Sequence, residues 1–320
     1  MDVSVCIVNW NTKDLLFNCI DSIHKKTSGV SYEIIVVDNN SSDDSVEMVR
    51  QHFPDCKLIA SKENMGFSKG NNAGLKEAAG KYIFFLNPDT ILATNALLGM
   101  FQFMENDTGV GAVGCKLLNQ DGSIQLICAR TFPTLWNQFC YLMLLNRLFP
   151  TSKLFGTIEM GYWNHIDSRD VDCLSGACIF ARKQIIDKLK GFDDAFYMYA
   201  EDVDLCYRIG KDGWRLYYLA NEAIYHLEGQ SSKQKAQKYF SVIAQRDSTQ
   251  YFFLKHFGNS QACLYKLVTC VGSIFRLLLI VFSSIILNKD KMNKNNGRFV
   301  LLKYTNLLLW SLGLRKLHDS

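Results

Sequence analysis

Hydrophobic and polar positions alternate along the first half of the chain in blocks. Val3 to Val8 is apolar enough for a strand, and Leu15, Leu16, Cys19, Ile20 and Ile23 then mark one face of a helix after Thr12. Tyr32 to Val37 predicts a second strand, with Ser42 or Asp43 capping a helix that runs to His52. Cys56 to Ala60 predicts a short third strand, and Asn71 can cap a helix leading to Gly80. Ile83 to Leu86 is apolar at four consecutive positions, as expected of a strand buried on both faces. Strands alternating with helices in this way predict a mainly parallel, doubly wound α/β sheet.

The second half is less regular. Gly111 to Leu118 and Ser123 to Cys128 flank Asn119-Gln120-Asp121-Gly122, a hairpin signal. Leu135 to Phe149 is rich in large apolar residues and reads as a lid or interfacial element that receives a greasy acceptor, with a core helix as the alternative. Val171 to Arg182 reads as a strand broken at Ser175-Gly176-Ala177, followed by a helix from Lys183 that stops at Gly191. The aromatic run from Phe192 to Tyr199 delivers Glu201 and Asp202 to a helix start, where Asp204 and Arg208 stand four apart. Trp214 to Leu219 predicts a late strand, and Ala236 to Phe257 a long helix. Leu267 to Leu287 is an apolar run of 21 residues with Arg276 as its one charge, and Phe299 to Leu314 repeats the pattern.

Charge sharpens this division. The net charge is +4, yet residues 251 to 320 hold ten Lys or Arg against two acidic residues, so the first 250 residues carry −4. A basic, apolar tail on a mildly acidic body points to an anionic membrane surface, and no nucleic-acid-binding motif competes with it. The apolar run is long enough to span a bilayer. A central arginine costs about 2.5–3.5 kcal/mol on insertion scales, which favours an interfacial or re-entrant helix. The alternative is a helical pair packed on itself or on a sister subunit, as in a homo-oligomer. The eleven cysteines are scattered, without a Cys-x-x-Cys pair, which fits reduced core thiols in the cytosol. Met1-Asp2 leads straight into a strand, so no signal peptide is expected.

Candidate chemistry gathers where strands end. Asp89 follows Pro88, which stops the preceding strand, and such a carboxylate can hold a divalent cation against a diphosphate or cap a helix. Asp38 can accept from a base N–H or a ribose hydroxyl; its residue type fits an Asx turn better. Asn64 to Gly74 is a Gly- and Asn-rich stretch that can bring N–H groups to a ligand, or form a plain loop. Glu201 and Asp202 suit a helix N-terminus, but two adjacent carboxylates exceed what capping requires, and one can act as general base. His226, alone after an apolar run, is more often structural. No glycine fingerprint follows the first strand, which argues against a dinucleotide turn.

Five ordered stretches together resemble the family-2 glycosyltransferases of GT-A (Rossmann-like) fold. They are Val3 to Thr12, Val36 to Asp43, Asn64 to Asn72, Leu86 to Asp89 and Tyr199 to Arg208. Arg130 to Pro133 and Phe196 to Asp202 look like the rhamnosyltransferase-type branch that builds bacterial surface polysaccharides. The resemblance covers about residues 3 to 257 by pattern. It implies a catalytic domain over 1–257 and a helical, membrane-associating tail over 258–320. By resemblance, Asp38 and Asn9 line the nucleotide pocket, and Asn64, Gly70 and Asn71 lie along the ribose-diphosphate. Asp89 fills the last position of an Asp-x-Asp motif whose first position here is Asn87, and His226 joins it as ligand of Mg²⁺ or Mn²⁺. Asp202 is the implied general base, with Glu201 beside it. The implied reaction is inverting transfer from a nucleotide-diphosphate sugar, dTDP-rhamnose first and a UDP-hexose second. The implied acceptor is a lipid-linked or polysaccharide hydroxyl at the cytoplasmic face of the plasma membrane. Two other readings are a metal-dependent sugar nucleotidyltransferase, whose Gly-rich phosphate loop is missing, and a non-catalytic scaffold of a polysaccharide assembly.

Overall fold

The computed structural model describes residues 1–156, 158–196, 198–227, 235–286 and 294–314. The expected alternation runs as β1 (Val3–Asn9), α1 (Lys13–Lys26), β2 (Tyr32–Asp38), α2 (Ser45–His52), β3 (Lys57–Ala60), α3 (Gly66–Glu77) and β4 (Tyr82–Leu86). After it come β5 (Thr90–Leu92), α4 (Ala96–Asn106), β6 (Val110–Leu118), the short β7 (Ala129–Arg130), α5 (Leu135–Leu142) and α6 (Leu145–Leu148). The short strands β8 (Arg169–Asp170) and β9 (Cys173–Leu174) lead to β10 (Cys178–Arg182), α7 (Lys183–Lys188), α8 (Glu201–Lys211) and β11 (Arg215–His226). Three long helices follow, α9 (Lys235–Phe257), α10 (Asn259–Ile286) and α11 (Lys294–Ser311).

Among the described residues the main sheet has the order β3-β2-β1-β4-β10-β6-β11-β5, with β8 paired to β11. β3, β2, β1 and β4 are parallel neighbours, as their intervening helices require. β10 then enters antiparallel between β4 and β6, so the sheet is mixed beyond β4. β4 is buried at all five positions, as its unbroken apolar run demands. Because Cys178 pairs with Leu86, β10 begins at the level where β4 ends. The Ser175-Gly176-Ala177 turn therefore lies at the same edge as Asn87-Pro88-Asp89. β11 breaks register between Leu219 and Ala223, continues, and sets His226 opposite Thr90 of β5.

Two expected elements differ. The strand predicted over Ser123 to Cys128 is a single bridge, Leu118 with Ile124, followed by a 3-10 turn at Leu126–Cys128. The turn itself closes, with the Asn119 N–H on the Ser123 carbonyl and the Gln125 N–H on the Leu117 carbonyl, while the Gln125 side chain turns inward and donates to the His226 backbone carbonyl. The third helix starts at Gly66, not at Asn71, with Asn64 Oδ1 accepting from the Gly66 N–H. Its face toward β1 is glycine for lack of room. A Cβ on Gly70 would meet Val8 Cγ1 at 2.8 Å, and one on Gly74 would meet Cys6 Sγ at 2.3 Å.

The chain divides into two compact units, Met1–Phe132 with Trp163–Ser231, and Pro133–Tyr162 with Ser232–Ser320. The first holds the sheet. The second has its own core of Ile243, Phe253, Ala262, Tyr265, Tyr304, Leu307 and Trp310. Within it, α5 packs on α10, with Leu142 against Gly272, so the Leu135 to Phe149 stretch is a pair of packed helices. Arg246 is buried and donates to Gln138 Oε1 and the Tyr265 hydroxyl. Leu287, at the end of the apolar run, and the basic pair Arg315 and Lys316 lie outside the described residues.

The tight seat of α3 on β1 makes Gly74→Ala destabilising by about 1–3 kcal/mol, the usual range for overpacking. Urea unfolding measures it, and Cys6→Ala in the same chain should recover part of the loss. An unchanged midpoint for Gly74→Ala would contradict this packing.

Candidate active site at the carboxyl edge of the sheet

The ends of β1 and β2 are tied by a buried polar brace. Asn9 Nδ2 donates to Asp38 Oδ1 at 2.8 Å and to Ser41 Oγ at 3.1 Å, while the Ser41 N–H donates to Asp38 Oδ2 at 2.9 Å. Thr12 Oγ1 donates to Asn9 Oδ1. Asn9 is wholly buried and Asp38 is 1 % exposed, so Asn9 touches Asp38 rather than any open surface. Next to them Asn39, which sequence reasoning passed over, donates to the Gly66 carbonyl. Its Oδ1 is buried without a hydrogen-bond partner.

The Gly- and Asn-rich stretch has a different job from the expected phosphate cradle. Gly70 faces Val8, and Asn71 is buried, with Nδ2 on the Phe67 carbonyl and Oδ1 accepting from the Cys6 thiol. Neither lines an open surface, because the helix has already begun and these positions form its inner face. Asn72 instead clasps Phe192, donating to its carbonyl and accepting from its N–H, both at 2.8 Å. Ser68 Oγ donates to the Phe196 carbonyl. Helix α3 thus anchors the aromatic run that precedes Glu201; Tyr197 of that run lies outside the described residues.

Beyond β4, the Asn87 N–H donates to the Ala177 carbonyl, and the Asn87 carbonyl accepts from Thr90 Oγ1. The Asp89 carbonyl accepts from the Leu227 N–H, which draws the end of β11 alongside. Asp89 Oδ1 is buried without a hydrogen-bond partner and lies 3.4 Å from His226 Nε2. His226 Nδ1 lies 2.9 Å from Gln125 Oε1. Two ligand atoms facing each other with nothing between them fit a divalent cation, the remaining oxygens coming from a bound diphosphate. Among the described residues no group of three His, Cys, Asp or Glu side chains could hold a metal, so of these residues this pair would be the contribution.

On the other side of the Ser175-Gly176-Ala177 turn stand the paired carboxylates. Tyr199 and Ala200 both have positive φ, 68° and 60°, just before α8 starts at Glu201. Non-glycine residues there are strained by about 1–3 kcal/mol each, and such strain is tolerated where the surroundings over-determine it. Asp202 Oδ2 accepts from Arg130 Nη2 at 2.6 Å and from the Gly176 N–H at 2.9 Å. Its Oδ1 accepts from the Val203 N–H. A Cβ on Gly176 would stand 3.2 Å from Asp202 Cβ, which leaves no slack. Glu201 is 8 % exposed, and its Oε2 has no partner. Burial, and then the Asp202 charge, push its carboxyl up to about 8. At neutral pH Glu201 is therefore mainly protonated. Arg130 was quoted in the sequence only as part of a motif; its place against Asp202 depends on the β7–β9 pairing, Arg130 with Cys173. Asp204 is fully buried and pairs with Arg208 as the four-residue spacing predicts.

The raised Glu201 carboxyl has a signed consequence. The folded state holds this proton more tightly than the unfolded chain, whose ordinary value is 4.5. The stability it contributes is full below about pH 4.5 and is lost as pH rises toward about 8. Thermal melts should show wild type losing stability relative to Glu201→Gln across that window. Parallel curves would contradict the burial of an ionisable Glu201.

Comparison with known proteins matches residues 4–160 to the family model described as Glycosyl transferase family 2. The chain is 28% identical over 236 residues to the O-antigen biosynthesis protein RfbC of Myxococcus xanthus, covering 73% of this chain but 18% of that protein. It is 26% identical over 238 residues to the N-acetylglucosaminyl-diphospho-decaprenol L-rhamnosyltransferase of Mycobacterium tuberculosis, covering 70% of this chain and 76% of that one. Among solved structures it resembles the mannosyltransferase PcManGT from Pyrobaculum calidifontis, in complex with GDP-Man and Mn²⁺. The TM-score is 0.55 at 14% identity, over 96% of this chain and 87% of the other.

Proposed function

Since the chain carries a glycosyl transferase family 2 domain on a GT-A fold, we propose that it is an inverting, metal-assisted glycosyltransferase. Its donor would be a nucleotide-diphosphate sugar and its acceptor a hydroxyl of a lipid-linked or polysaccharide chain. One observation carries the reading: the Ser175-Gly176-Ala177 turn is bonded on one side to Asn87 and on the other to Asp202. The Asp89–His226 pair and a carboxylate base therefore belong to one edge of the sheet.

Asp89 and His226 would hold Mg²⁺ or Mn²⁺, which when bound neutralises charge on the departing nucleoside diphosphate. Asp202 takes the proton of the acceptor hydroxyl, whose oxygen attacks the anomeric carbon from the face opposite the leaving group. One displacement inverts that centre, so no covalent enzyme intermediate is needed. Gly176 and Arg130 fix the Asp202 carboxylate, and neutral Glu201 adds no second negative charge beside it. Asp38, held by Asn9, would meet the base or ribose, with Asn64 and Asn87 lining the approach. The rhamnosyltransferase named among the relatives supports dTDP-rhamnose as first donor, with a UDP-hexose second.

The second unit supports a place at the cytoplasmic face of the plasma membrane. α10 is long and apolar enough to cross a membrane by length and composition. Leu264, Leu267, Val271, Ile274, Leu278, Val281 and Phe282 are exposed along it. Its central charge does not interrupt that stripe. Arg276 Nε donates to the Leu142 carbonyl and Nη2 to that of Tyr141, with the guanidinium over the Tyr304 ring. A charge satisfied within the protein leaves the outer face free for lipid.

A donor panel with and without Mn²⁺, read by calorimetry, tests the reaction. One nucleotide-sugar should bind in a metal-dependent way. Asp202→Asn should lose about 10²–10⁴-fold in transfer with donor affinity kept, and Asp89→Ala should lose the metal dependence. Wild-type turnover in Asp202→Asn would remove the base assignment, and binding of free nucleoside triphosphates alone would favour a nucleotidyltransferase. For the membrane, Leu278→Glu with Phe282→Glu should abolish flotation with anionic phospholipid vesicles at unchanged melting temperature. Undiminished flotation would remove α10 as the contact.

A further inference from the structure

The turn after β6 closes on backbone hydrogen bonds with one antiparallel bridge. Its side chains form one chain of hydrogen bonds that ends on His226, and the direction of every bond follows from its ends. The Asp121 carboxylate only accepts, and it takes the Ser123 hydroxyl proton at 2.6 Å and the Ser123 N–H at 2.9 Å. With its proton committed, Ser123 Oγ accepts from Asn119 Nδ2 at 2.8 Å. Asn119 Oδ1 is thereby turned to Gln125, whose Nε2 donates to it at 2.9 Å. The same Nε2 donates to the His226 backbone carbonyl at 2.8 Å, a second and independent reason for the amide to point this way. Gln125 Oε1 is left facing His226 Nδ1 at 2.9 Å, and an amide oxygen only accepts. His226 Nδ1 must carry the proton. In the neutral ring Nε2 is then a bare lone pair, and it faces Asp89 Oδ1, itself buried and without a donor, at 3.4 Å.

We infer that Gln125 is a positioning residue which, held by Asn119, Ser123 and Asp121, locks His226 in its Nδ1–H tautomer and so pre-assembles the Asp89–His226 pair as a divalent cation site. This rests on reading Asp89 and His226 as the metal pair. Gln125 is 6 % exposed and touches nothing that reacts, so its effect passes through the imidazole. An outer partner that fixes a ligating histidine typically contributes 10- to 100-fold in metal affinity.

Two measurements on the full chain test this. Nitrogen-15 NMR of the metal-free wild type at pH 8 should show His226 protonated on Nδ1; protonation on Nε2 would overturn the inference without any variant. Titration with Mn²⁺ alone, read by electron paramagnetic resonance, should show about 10- to 100-fold weaker binding in Gln125→Leu at an unchanged melting temperature. If His226→Ala loses Mn²⁺ while Gln125→Leu binds as wild type does, the relay is wrong and the metal pair stands. If His226→Ala itself binds as wild type does, the metal-pair reading falls and the relay falls with it. Should Gln125→Leu fail to fold, Asn119→Leu, which removes the outer acceptor of the Gln125 amide, should weaken Mn²⁺ binding in the same direction, and wild-type binding in it would overturn the relay.

Discussion

The site depends on one crossing of the backbone. β10 runs against β4, and at that point the Asn87 N–H bonds the Ala177 carbonyl while the neighbouring Gly176 N–H bonds the Asp202 carboxylate. A parallel strand in this position would bring its opposite end to the ligand edge, and the turn would lie on the far side of the sheet. The antiparallel entry sets a turn of small residues beside the end of β4. At Gly176 a side chain would be crowded, since an added Cβ would stand 3.2 Å from Asp202 Cβ. From this crossing, one arm leads through Asn87 to Asp89, and the other through Asp202 to the start of α8.

The two carboxylates at that helix start illustrate how environment divides like residues. Glu201 is buried with an unpartnered oxygen, and the cheapest state for it at neutral pH is neutral. Asp202, one residue on, accepts from a guanidinium and two backbone N–H groups. A helix N-terminus would tolerate both as anions on the dipole argument alone. Burial with an unpartnered oxygen sets Glu201 apart from Asp202, whose two oxygens both accept hydrogen bonds.

What was legible in the chain followed from local physics. The buried run at Ile83 to Leu86, the break at Ser175 to Ala177, the Asp204–Arg208 pair and the strand-ending Pro88 are local patterns, and each has the expected form. The candidate residues at strand ends were legible too, because a strand end can be read from a proline or a polar cluster. What escaped depended on partners far along the chain. Gly70 and Asn71 look like a ligand loop by composition, but Val8 and Cys6, more than sixty residues earlier in sequence, fill the space beside them. Arg130 and Gln125 carried no local signal, since their roles exist only once β7 meets β9 and β11 reaches β5. Asp-Gly closes its turn on backbone hydrogen bonds, but the returning segment pairs at one bridge and then enters a 3-10 turn.

Arg276 repeats the lesson in the second unit with the opposite sign. Read along the chain, a guanidinium in the middle of an apolar run is a penalty against contact with lipid. In the folded unit that group donates to the carbonyls of Tyr141 and Leu142 at the end of α5, the first of which also accepts from the Met143 and Leu144 N–H groups. The arginine thus acts as a C-terminal cap for a neighbouring helix, with the aromatic face of Tyr304 against it. Gly272, one turn earlier on α10, is what lets the two helices come that close. Capping α5 and leaving an uncharged outer stripe on α10 are the same structural fact, because the side chain that would have broken the stripe is the one that makes the cap.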